Sequence, residues 1–71
     1  GPAVRYIAKP GGWFKAGTIV ELVADYGDAG LLLKGTRVAQ ESYELHYGHE
    51  IGDEYEDEEL CAAEEVESVG D

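Results

Sequence analysis

Lys and Arg are absent after Arg37 in this 71-residue chain, Met is absent altogether, and Cys, Trp and Phe each occur once. The lone Cys61 rules out an internal disulfide and suits a reducing cytoplasm. Only 5 Lys and Arg stand against 16 Asp and Glu, a net charge of −11. Affinity for phosphates comes from bases that neutralise them, so direct nucleic-acid binding is not expected, and an anionic membrane surface is disfavoured in the same way. No apolar run reaches the roughly 18 residues of a spanning helix and no leader pattern is read, so the expectation is a soluble, cytoplasmic protein. A chain of this size buries only about 60% of its unfolded surface, so each large apolar residue matters to a thin core.

The charge is divided along the chain. Residues 1–37 hold all five bases against Glu21, Asp25 and Asp28, whereas residues 38–71 hold 13 carboxylates and no base. Like charges at this density repel, and a small domain has little stability to spare. Solubility needs a net charge of only roughly 2 to 8, so the excess calls for another explanation. Gly1-Pro2 reads as the remnant of a removed purification tag, which leaves 3–71 as one small domain with 38–71 as its acidic half.

Hydropathy patterning predicts a mainly β domain. Residues 4–9 alternate and stop at Pro10-Gly11-Gly12, a strong turn signal. Trp13 and Phe14 fall in a loop expected to fold back over the core, with Tyr6 beside them. Residues 18–24 are rich in β-branched residues, residues 25–30 supply a turn, and residues 31–38 read as the returning strand of a hairpin. Gly35 within that strand suggests a bulge. Residues 40–53 read as a polar loop, or as a loop enclosing one short strand around residues 43–46. The spacing in residues 57–65 predicts a short helix of two turns at most, capped by Asp57. Residues 65–69 resume a two-residue period and suit a final edge strand. The expected fold class is a small, strongly bent antiparallel sheet or SH3-like barrel of four or five strands with one short C-terminal helical turn.

The stretch Phe14-Lys15-Ala16-Gly17-Thr18-Ile19-Val20-Glu21-Leu22 resembles the opening of SH3-like small barrels, where a loop ending in Gly-Thr feeds a β-branched strand. The wider layout, a barrel-like half followed by an acidic end around Asp57-Glu58-Glu59-Leu60-Cys61, is similar to small uncharacterised proteins of tailed bacteriophages. That resemblance implies a setting in which small acidic proteins often inhibit host enzymes or defence systems, several of them by imitating DNA. It carries no catalytic residues.

His46-Tyr47-Gly48-His49, with Glu44 and Glu50 close by, has the donor types of a zinc site, but a loop through Gly48 fixes no ligand geometry. Residues 53–59 are rich in carboxylates yet lack the alternating ligands and central Gly of a calcium loop. Neither metal nor cofactor is expected. There is no Ser–His–Asp set, no phosphate-cradling Gly-Lys loop and no thiol with a nearby base, so an enzyme is not expected either. Cys61 lies among carboxylates that disfavour a thiolate and reads as a small buried hydrophobe.

The carboxylates themselves are the candidate site. Leu60, Cys61, Ala62, Ala63, Val66 and Val69 are interleaved with them, which predicts that the segment folds onto the domain. Carboxylates held on one folded face would approach the line of charge of duplex DNA, about one per 1.7 Å of axis. The expected partner-binding residues are Glu54, Tyr55, Glu56, Asp57, Glu58, Glu59, Glu64 and Glu65, with Tyr43 and Tyr47 as further interface aromatics. Lys34 and Arg37 are expected to anchor the acidic half to the sheet. The expected partner is a host protein with a basic nucleic-acid-binding groove. The alternative is a structural or accessory (minor virion) module whose acidity serves solubility alone. Glutamates along the last strand repel a second copy, so a monomer is expected.

Overall fold

The computed structural model describes residues 4–40 and 48–69. Five antiparallel strands form one sheet: β1 (Arg5–Ala8), β2 (Ile19–Asp25), β3 (Leu31–Val38), β4 (Glu54–Cys61) and β5 (Val66–Ser68). Their order in space is β4-β3-β2-β1-β5, so β4 and β5 are the edges and the sheet does not close into a barrel. Among the described residues the only helical pieces are lone 3-10 turns at Gly27–Ala29 and Ala63–Glu65. No described helix is long and apolar enough to cross a membrane.

Each strand before residue 40 falls where β-branched and apolar alternation places it. The β2–β3 turn closes through local chemistry. The Gly27 N–H donates to Asp25 Oδ1 at 2.8 Å, and the Tyr26 N–H donates to the Gly30 carbonyl at 2.9 Å. Gly30 takes a φ of 118° and brings its α-carbon so close to the Cys61 carbonyl that a β-carbon would lie 2.8 Å from that oxygen.

One face of the sheet carries the core: Ala8, Val20, Leu31, Leu33, Cys61 and Val66, with Phe14 folded over them and Tyr6 and Leu22 packed alongside. Trp13 departs from expectation. Phe14 is buried, but Trp13 remains 48% exposed and lies against Arg37 instead of over the apolar core.

Gly35 is not a bulge. It pairs in unbroken register with Asp57, and the register shift in the sheet falls on β2 between Leu22 and Ala24. Gly35 serves packing: a β-carbon there would overlap Val20 and come within 3.1 Å of Phe14 Cδ1. The absence of a side chain lets the Phe14 ring reach Val20, which is fully buried.

The predicted helix over residues 57–65 does not form. Residues 54–61 are strand β4, paired with β3 over all eight residues from Val38↔Glu54 to Leu31↔Cys61, and Asp57 caps nothing. The helical turn that does exist is confined to Ala63–Glu65. There the Ala62 N–H donates to Glu65 Oε2 at 2.9 Å. The predicted strand at residues 43–46 and the tag remnant at 1–2 lie outside the described residues.

Replacing Gly35 by Ala therefore forces Val20 or Phe14 to move. Gly35→Ala is expected to lower stability by roughly 1–3 kcal/mol in urea unfolding, the usual range for overpacking. A neutral or stabilising result would mean the packing around Val20 has slack.

Candidate acidic interface

Strand β4 reads Glu-Tyr-Glu-Asp-Glu-Glu-Leu-Cys, and the pleat sends alternate side chains to opposite faces. Tyr55, Asp57, Glu59 and Cys61 take the core face, opposite Arg37, Gly35, Leu33 and Leu31. Glu54, Glu56, Glu58 and Leu60 take the outer face, opposite Val38, Thr36, Lys34 and Leu32. The eight predicted partner-binding residues are thus split. Three form an outer row, three turn toward the core side, and Glu64 and Glu65 sit on the 3-10 turn beyond the strand.

On the core side the organising group is Arg37, whose side chain is only 12% exposed. Its Nη1 donates to Glu59 Oε2 at 2.8 Å and to Asp57 Oδ2 at 3.2 Å. The guanidinium carbon lies 5.1 Å from the Trp13 ring centroid and 5.7 Å from that of Tyr55. Tyr55 in turn stacks on His49, with centroids 4.0 Å apart and planes inclined by 14°. Two carboxylates on the core face are tolerated because a planar cation fits between them and two aromatic rings.

The two carboxylates titrate apart. Burial pushes Glu59 above its ordinary value of 4.5, and the hydrogen bond and charge of Asp57 push the same way against the opposing Arg37 charge. Burial also pushes Asp57 upward, but three other contacts outweigh it and hold Asp57 below 3.8: the Glu58 N–H, Glu59 and Arg37.

The outer row meets the cations of the first half more loosely. Lys15 Nζ lies 2.7 Å from Glu54 Oε2 and Lys34 Nζ lies 3.7 Å from Glu56 Oε1, both on exposed side chains, so each pair is worth about 0–1 kcal/mol. Glu58 has no cation within ion-pair distance among the described residues, although it lies directly opposite Lys34. Pairing register extends this into a charge ladder across four strands, Arg5 opposite Glu21, Glu21 opposite Lys34, Lys34 opposite Glu58. Alternating signs at directly opposed positions support this pairing register over its neighbours. Lys34 and Arg37 thus bind the acidic strand to β3.

Glu65 is mainly structural. Its carboxylate accepts the Ala62 N–H, and its carbonyl accepts the Lys9 N–H at 3.0 Å. Glu64 is exposed. Cys61 is buried at 2% exposure, and burial pushes its thiol up to about 11, with Glu65 and Glu59 adding to the shift. Among the described residues no group of three or more His, Cys, Asp or Glu is arranged to hold a metal. Tyr43, Tyr47, Glu44 and His46 lie outside the described residues. Anchoring by Lys34 and Arg37 was expected, but the two aromatic rings on Arg37 and the charge ladder went unforeseen, because they rest on residues 13 to 24 apart that only the fold brings together. No protein-family model, curated protein or solved structure matches this chain.

Removing Arg37 leaves Asp57 and Glu59 facing each other. Arg37→Met is expected to cost on the order of 2 kcal/mol, less than the roughly 3–5 of a fully buried pair because the Asp57 side chain is 41% exposed. Adding Asp57→Asn and Glu59→Gln should recover part of the loss in urea unfolding. In an NMR carboxyl titration, Asp57→Asn should lower the pKa of Glu59, since both upward pushes from Asp57 disappear. The raised Glu59 contributes stability that is full below 4.5 and lost as pH rises through its folded pKa. The depressed Asp57 works oppositely, its contribution being full above 3.8 and lost as pH falls through its own folded pKa.

Proposed function

We propose that this protein is a non-enzymatic inhibitor of the phage type that binds a host nucleic-acid-binding enzyme or defence effector through the acidic strand β4, imitating a polynucleotide. The observation that carries the reading is the spacing of charge along β4. Its outer row, Glu54, Glu56 and Glu58, places one exposed carboxylate at every second residue of a paired strand, a step of about 6.8 Å, which is twice the axial charge spacing along one strand of duplex DNA and so matches every second phosphate. Such a line attracts the same grooves that attract phosphates. It acts by occupying the channel, sterically and electrostatically, and needs no chemistry. Its recruitment is steered by charge and is sensitive to salt.

A second reading has its own support. Lys15, Lys34 and Arg37 engage Glu54, Glu56, Asp57 and Glu59 internally, so part of the acidity of β4 serves the fold. On that reading the protein is a structural or accessory module and the remaining charge keeps it soluble.

A charge reversal confined to the outer row separates the two. Glu54→Lys, Glu56→Lys and Glu58→Lys leave Asp57 and Glu59 on Arg37, so the fold is expected to survive, as circular dichroism would check. The wild type should retain a nucleic-acid enzyme from host lysate at low salt, release most of it in about 0.5 M NaCl as exposed charges are screened, and lose it on reversal. Undiminished retention by the reversed variant would favour the accessory module.

A further inference from the structure

We propose that the open edge of β4 is a strand-addition site for an extended basic segment of the partner, an inference that rests on the acidic-interface reading and specifies how contact is made. Two hydrogen bonds fix which backbone groups face outward. The Thr36 carbonyl accepts the Lys15 N–H at 2.7 Å, on the side of β3 away from β4, and the Ala39 N–H donates to the Asp53 carbonyl at 2.9 Å, on the side toward β4. Antiparallel strands alternate residue by residue, so Tyr55, Asp57, Glu59 and Cys61 bond to β3 while Glu54, Glu56, Glu58 and Leu60 turn their N–H and C=O groups to the open edge. A separate contact agrees: the Glu58 N–H, one of the outward set, is taken by the carboxylate Oδ1 of its neighbour Asp57 at 2.9 Å. No other described strand pairs with this edge.

The residues that offer backbone at the edge are also those of the outer row. A strand laid against β4 would set its side chains beside Glu54, Glu56 and Glu58 at alternate positions and beside the half-exposed Leu60 at the end. Charge complementarity names the occupant: Lys or Arg at every second residue, with an apolar residue facing Leu60. It also argues against a second copy, because β4 against β4 opposes like charges. The exposed Lys15–Glu54 and Lys34–Glu56 pairs are weak enough for incoming cations to share.

The test uses the whole chain and a seven-residue peptide, leucine followed by alternating threonine and lysine, at low salt. Two further versions carry N-methyl groups, one on the leucine and lysine amides that would face β4 and one on the threonine amides that would face away. Charge and side chains are the same in all three. Binding should raise the exchange protection of the Glu54, Glu56 and Leu60 amides. Methylation of the facing amides should weaken binding at least about tenfold relative to methylation of the others, as expected for several lost hydrogen bonds. Equal binding by the two methylated peptides, failure of the parent peptide to bind, or protection of the same amides by self-association without peptide would each overturn edge pairing. Equal binding together with salt-sensitive retention of a basic enzyme would leave the acidic interface standing. Loss of both would remove the two readings together.

Discussion

The Arg37 guanidinium is the group on which the acidic half of this fold depends. It is the nearly buried cation that lets Asp57 and Glu59 occupy the core face of β4, and Trp13 and Tyr55 supply the rings that flank it. Glu and Asp are poor strand formers, and repulsion along an isolated Glu-Asp-Glu-Glu segment would oppose extended pairing. Register with β3 reverses that balance. Each core-face carboxylate meets one shared cation, and each residue from 54 to 61 gains a partner in the sheet.

The outer face follows a different logic. Its carboxylates are exposed, two of them have only weak partners, and Glu58 faces Lys34 across the sheet without closing an ion pair. One strand therefore serves two purposes. The alternation of the pleat separates carboxylates that hold the fold from carboxylates left available to a partner, although the sequence presents them as one uninterrupted run. Charge reversal on the core face and charge reversal on the outer face are consequently different experiments, the first a test of folding and the second a test of recognition.

What was legible in the sequence follows from locality. Strands β1 to β3 announce themselves through β-branched residues and turn chemistry within a few positions, and β5 through the alternation around Val66. Burial of Cys61 was readable from its small size and acidic neighbours. Residues 57–65 misled because helix capping and propensity are local signals, whereas the winning interaction comes from Arg37, 20 and 22 residues away from Asp57 and Glu59. Gly35 misled in the same way, since its reason lies in Phe14 and Val20 rather than in its own strand. Trp13 looked like core because it is large and apolar, and only the fold shows a cation for its face to meet. The acidic run was visible as a candidate site, but its division into two faces needed a strand where a helix was expected.

The central claim is that the carboxylates of residues 54–59 are held on a regular paired strand. Amide hydrogen exchange on the free protein, read residue by residue by NMR, tests it most directly. The account predicts an alternating pattern, slow at Tyr55, Asp57, Glu59 and Cys61 and fast at Glu54, Glu56 and Leu60, with extended backbone shifts throughout. Uniformly fast exchange with random-coil shifts across this segment would contradict it.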